Sequence, residues 1–108
     1  MTVSTHVLDA TLGAPAAGVL VSLAFSAPDG WEAIETGSTD ADGRHRFEAR
    51  TRPGVYRVVF GTGGYFAARG VAAFYPEVTI AFTVADAGVH YHVPLLLSPF
   101  AYSTYRGS

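Results

Sequence analysis

The sequence predicts an all-β chain folded as an antiparallel sandwich, on three observations. Short runs rich in Val, Ile, Thr, Tyr and Phe recur along the chain. Several of them alternate apolar with polar residues at period two, as a half-buried strand must. Clusters of Gly, Pro and Asp separate the runs at roughly the 8–12-residue spacing typical of two packed sheets, which gives about seven or eight strands.

Each element follows from its own residues. Val3, Thr5 and Val7 alternate with Ser4, His6 and Leu8, which makes a first strand with its core face on the odd positions. Asp9 to Ala17, with Gly13 and Pro15, is a loop. Val19 to Ser26 is a second strand, ended by Pro28-Asp29-Gly30, and Trp31 to Gly37 a third. Asp40-Ala41-Asp42-Gly43 makes a tight turn into a short extended piece, Arg44 to Glu48. Val55 to Phe60 is a strand after Pro53-Gly54, and Gly63 to Val71, rich in Ala, allows one or two turns of helix. Val78 to Val84 alternates cleanly, Asp86-Ala87-Gly88 signals a hairpin, Tyr91 to Leu97 is the next strand, and Tyr102 to Arg106 the last. Along the Val89–Leu97 run, Tyr91, Val93, Leu95 and Leu97 form one apolar face, leaving His90, His92, Pro94 and Leu96 opposite. Both outer faces, here and on the first strand, mix histidines with a leucine. A fully solvated face is normally charged or hydroxylated, so another subunit is expected to cover this one.

Composition narrows the class of function. At 108 residues, 49% of them hydrophobic, the chain is expected to form a single domain, 1–108, with a real core. It contains no cysteine, which removes disulfides, thiolate metal sites and a cysteine nucleophile together. The formal net charge is -2 and the basic residues are scattered, so no nucleic-acid partner is expected. All seven basic residues are arginines. No run of ~20 apolar residues is present to span a membrane, and Met1–Leu8 has no basic region followed by an apolar one, so the cytoplasm is the expected location.

Several patterns suggest chemistry, each with an ordinary explanation beside it. His6 alone on a strand reads by default as a surface histidine, and so does His45 beside the turn. His90 and His92 share a face at a spacing that suits a metal, but no nearby Asp, Glu or Cys completes the set of about four that a structural zinc needs. No metal or other cofactor is expected. Arg44, taken alone, reads as a partner for a turn aspartate. The turn resembles part of a calcium loop, yet Ser38 and Ala49 stand where that loop requires Asp and Glu, which excludes calcium. Gly61-Thr62-Gly63-Gly64 lacks the Lys-Ser/Thr of a phosphate loop, and no Gly-x-Ser-x-Gly elbow exists. Asp9, three residues from His6 on a strand, faces the other way and is poorly placed to orient that imidazole. A hydrolase built from these parts would use a neutral histidine to activate water and arginine to hold an oxygen-rich substrate.

Four stretches resemble the 5-hydroxyisourate hydrolases of the transthyretin-like family. They are Ser4-Thr5-His6-Val7-Leu8-Asp9 with Gly13-x-Pro15-Ala16, Thr39-x-x-Asp42-Gly43-Arg44, Phe74-Tyr75-Pro76-Glu77-Val78, and the closing stretch from His90 to Pro99 followed by Tyr102 to Ser108. The resemblance covers nearly the whole chain, and the terminal Tyr105-Arg106-Gly107-Ser108 is its most specific part. Phe100 and Ala101 depart slightly from the family pattern, away from the chemistry.

This resemblance implies a transthyretin-like antiparallel β-sandwich of two four-stranded sheets with one short helix. It also implies a homotetramer with active sites at the dimer–dimer interface. The activity implied is hydrolysis of 5-hydroxyisourate to 2-oxo-4-hydroxy-4-carboxy-5-ureidoimidazoline in urate breakdown to allantoin. Carried over by position, His6, His92 and Arg44 are the expected catalytic residues, and His6, Arg44, Tyr105, Arg106 and Ser108 the expected substrate-binding ones. The alternatives are a non-catalytic small-ligand carrier of transthyretin type and a β-sandwich interaction module.

Overall fold

The computed structural model describes residues 1–108. In chain order the elements are β1 (Val3–Asp9), β2 (Ala14–Pro15), β3 (Leu20–Ala27), β4 (Gly30–Ser38), β5 (Arg44–Arg46), β6 (Gly54–Phe60), α1 (Thr62–Ala68), β7 (Val78–Val84), β8 (Tyr91–Leu97) and β9 (Tyr102–Thr104). They form two sheets, one ordered β4-β3-β6-β7 and the other β2-β1-β8-β9, with β5 also on β1. The sandwich and its short helix are as the sequence predicts. The second sheet gains a fifth member because β5 and the two-residue β2 share one edge of β1, at Ser4–His6 and Leu8–Asp9 respectively.

One pairing differs from the antiparallel expectation. β1 and β8 run parallel, from Val3 opposite Tyr91 to Asp9 opposite Leu97. A parallel pair needs a long crossover, and here the chain between β1 and β8 supplies it. Asp86-Ala87-Gly88 also does not close a hairpin, since β7 pairs with β6 in one sheet and β8 with β1 in the other. The turn instead carries the chain between sheets. Asp86 Oδ1 accepts the Gly88 N–H at 2.8 Å, and the Tyr91 hydroxyl accepts those of Ala85 and Asp86 at 3.1 Å.

Period two sorts both central strands as expected, except that Pro94 on the outer face of β8 is also buried. Val3, Thr5, Val7 and Asp9 are buried on β1, as are Tyr91, Val93, Leu95 and Leu97 on β8, packed against Val21, Leu23, Val58 and Phe60 of the facing sheet. The two polar members are satisfied. Thr5 donates to the Val93 carbonyl at 2.7 Å, and Asp9 accepts the Thr11 and Leu12 N–H groups and the Tyr65 hydroxyl. Burial and the Asp9 carboxylate push the Tyr65 phenol up, so it stays protonated and ties α1 to the end of β1. Leu95 is fully buried at the middle of β8, so Leu95→Ala is expected to cost about 2–5 kcal/mol. Thermal unfolding of both proteins at one matched concentration checks this.

Two features of β5 aim the site. The turn before it is built on Asp40, whose Oδ1 accepts the N–H groups of Asp42 and Arg44 while its carbonyl accepts that of Gly43. Those bonds, that from Arg44 first, hold the Asp40 carboxyl below its usual range. Gly43 has φ 74, and a Cβ there would stand 2.4 Å from the Val7 carbonyl oxygen, so only glycine fits. The alternation then turns His45 inward, not onto the surface. Its ring meets Phe47 edge-on at 4.7 Å and lies so close under Gly37 that a Cβ there would be 2.2 Å from Cε1.

Candidate active site

With β5 on one side of β1 and β8 on the other, three distant segments share an outer face. His6 stands opposite Arg44 across β1 and β5, and Ser4 opposite His92 across β1 and β8. Cross-strand partners project to the same side of a sheet, so His6, Arg44 and His92 lie on one surface with the half-buried Leu8 and Leu96. The expected catalytic residues are thus brought together.

His92 is fixed on two sides. Ser4 Oγ and His92 Nδ1 are hydrogen bonded at 2.7 Å. Behind the ring, Gly107 donates its N–H to the His92 carbonyl at 2.9 Å, and a Cβ on Gly107 would fall 2.4 Å from His92 Cδ2. The tail can dock here only because residue 107 has no side chain. Burial, followed by the neighbouring His6, His90 and Arg44, lowers the pKa of His92, with the Ser4 backbone opposing. Its imidazole is therefore neutral at neutral pH.

Arg44 bonds Asp40 only through its backbone, and its guanidinium forms no ion pair, whereas Arg52 pairs with Glu32 at 3.1 Å. The ordinary role weighed for it, pairing with a turn aspartate, is not what it does. An exposed, unpaired guanidinium keeps all five donors for a ligand.

The tail lies to one side. Tyr105, 60% exposed, and Arg106, whose guanidinium sits 5.0 Å from the Tyr91 ring centre, line a cavity of about 340 Å³ with His92, Thr104 and the Ile80–Thr83 stretch of β7. His6 and Arg44 are not in that wall, so His92 is the member common to both groups. Ser108 is exposed beyond Gly107. One contributor, Ser4, escaped the sequence reading, and Gly107 entered it only as a member of the terminal tetrapeptide. Ser4 carried a partial signal, since it shares the face of His6, but its register against His92 did not.

A sandwich of this topology with imidazoles and a free guanidinium on the outer face of the β1 sheet falls within the transthyretin-like class. The sequence model of the HIUase/Transthyretin family matches residues 3–107, and the chain belongs to that family. It is 47% identical to the 5-hydroxyisourate hydrolase of Salmonella dublin, over 97% of this chain and 79% of that protein. Among solved structures, the 5-hydroxyisourate hydrolase of Klebsiella pneumoniae superposes with a TM-score of 0.89 at 38% identity, covering 100% of both chains. Transthyretin from Sparus aurata superposes with a TM-score of 0.90 at 35% identity, over 97% of this chain and 95% of the other.

Proposed function

We propose that the chain, acting as one domain, hydrolyses 5-hydroxyisourate to 2-oxo-4-hydroxy-4-carboxy-5-ureidoimidazoline. The observation that carries this is the meeting of His6, Arg44 and His92 on one face, with the guanidinium unpaired and the His92 imidazole neutral. Water adds across an amide-like C–N bond of the six-membered ring. His92, whose Nδ1 is engaged by Ser4, presents Nε2 as the base, takes a proton from water as it attacks the carbonyl carbon, and returns a proton to the departing nitrogen. His6 polarises the same water. Arg44 binds substrate oxygens and stabilises the oxyanion that develops, the role in which a fixed donor contributes most. Arg106 adds a second donor from the tail, while Tyr105 and Ser108 shape and orient the pocket.

The same proposal makes the protein a homotetramer, with the outer face of the β1 sheet covered at the dimer–dimer interface. Leu8 and Leu96 beside polar groups on that face favour this. No helix is long and apolar enough to cross a membrane, and the cytoplasmic setting expected from the sequence remains part of the proposal. A carrier is the competing reading. Fold similarity does not separate the two, with TM-scores of 0.89 and 0.90 at 38% and 35% identity; the 47% identity to the Salmonella hydrolase favours the enzyme.

Generating 5-hydroxyisourate from urate with urate oxidase and following its ultraviolet absorbance tests the activity. Faster decay with the protein is expected, and decay at the spontaneous rate rejects it. A pH profile tests the base. A lowered pKa keeps His92 neutral into more acidic solution, so kcat/KM should hold through neutrality and fall only as pH drops below about 6.5, the ordinary histidine value. An acid limb centred above that value would contradict the assignment.

A further inference from the structure

The outer face holds one more histidine, and the hydrolytic scheme leaves it idle. His90 is joined to His92 through a continuous chain: Thr2 Oγ1 to His90 Nδ1 at 3.0 Å, His90 Nε2 to Ser4 Oγ at 2.8 Å, and Ser4 Oγ to His92 Nδ1 at 2.7 Å. We propose that Ser4 and His90 are positioning residues for the hydrolysis, setting through this chain which ring nitrogen of His92 carries its hydrogen. The proposal rests on the hydrolase reading and names two further residues for it.

Hydrogen counting gives the reason. A neutral imidazole has one N–H and one bare nitrogen, and a serine hydroxyl has one hydrogen to donate. His92 can act as a base at Nε2 only if its hydrogen is on Nδ1, where Ser4 must accept it. The Ser4 hydrogen then needs another acceptor, and His90 Nε2 is the one at hand. That in turn places the His90 hydrogen on Nδ1, where Thr2 accepts it. Reversing the chain has the opposite result: Ser4 donates to His92 Nδ1, the His92 hydrogen moves to Nε2, and the base position is filled.

His90 must stay neutral for this direction to hold, because a protonated ring donates at both nitrogens and turns the Ser4 hydrogen towards His92. The surroundings favour neutrality. Burial first, then Arg46 on β5 and the chain's terminal ammonium, lower the His90 pKa. The remaining charged or titratable groups around the chain, His6 on β1, Arg44 on β5 and His92 itself, are basic or neutral, and no carboxylate is among its hydrogen-bond partners.

Nitrogen-15 spectra of the histidine rings read the tautomer directly, without substrate. The native protein should show His92 with its hydrogen on Nδ1. His90→Phe removes the acceptor and should move that hydrogen to Nε2, with kcat falling about 10²-fold and KM nearly unchanged, the scale of a lost general base. Ser4→Thr keeps a hydroxyl in place and should retain both the tautomer and most of kcat. A native His92 carrying its hydrogen on Nε2, or a tautomer unmoved by His90→Phe, overturns the proposal. Either result stands apart from the function itself, which fails only if the native protein does not accelerate hydrolysis.

Discussion

Arg44→Ala and His92→Ala are each expected to lower kcat/KM by about 10²–10³-fold, the loss that follows removal of one preorganised transition-state group. Neither side chain holds the fold together. Arg44 is exposed and makes no ion pair, while the backbone bonds that fix its turn, Arg44 N–H to Asp40 Oδ1 at 3.0 Å and Asp40 N–H to the Arg44 carbonyl at 2.8 Å, survive the substitution. His92 projects from the outer face, and its carbonyl would still accept from Gly107. Unfolding temperatures should therefore stay near the native value as activity collapses. Arg44→Lys should recover little, since a point charge cannot reproduce the planar fork of a guanidinium. Steady-state kinetics beside thermal unfolding check both halves. Near-native kcat/KM in either alanine variant would remove that residue from the chemistry.

Gly107→Ala should be nearly as damaging, through one added methyl group. That carbon would meet His92 at 2.4 Å from Cδ2, 3.1 Å from Cγ and 3.2 Å from Cβ. Either the imidazole swings away from Ser4 or the tail lifts off β8, and both outcomes misplace site residues. A displacement near 1 Å can cost about 10²-fold in rate, so a loss of that order in kcat is expected. The global fold should be unaffected, since Gly107 lies at the margin of its sheet and is held there by one isolated bridge to His92. Ser26→Ala, at an exposed position of β3 in the other sheet whose hydroxyl forms no hydrogen bond within the chain, serves as the control and should change nothing. Activity within about twofold of native in Gly107→Ala would mean that the tail does not hold the imidazole.

How much of this was legible in the sequence depends on the range of the interaction responsible. Faces are local, because alternation alone puts Val3, Thr5 and Val7 inside with Tyr91, Val93 and Leu95, and so turns His6 and His92 outward. Turns are local as well, and Asp40 to Gly43 closes as its residue types demand. Pairing is not local. The Ser4–His92 hydrogen bond joins residues 88 apart, and no short pattern states whether β1 and β8 run parallel or in which register. The same limit hid the sheet change at Asp86, where partner choice decides between hairpin and crossover. His45 was misjudged for a nearer reason. With Arg44 outward the next residue must face inward, but a three-residue strand is too short to show its period in the sequence. Residue identities at His6, Arg44 and His92 were thus readable, along with the sides they occupy, whereas their convergence required the fold.

The claim at the centre of this account is that the outer face of the β1 sheet turns substrate over and does not merely hold it. The most direct measurement is the decay of freshly generated 5-hydroxyisourate at several protein concentrations, all far below that of the substrate. Catalysis predicts an observed rate constant that rises in proportion to protein, with every substrate molecule consumed. A carrier would sequester at most a stoichiometric amount, and the remainder would decay at the spontaneous rate whatever the protein concentration, which would contradict the account.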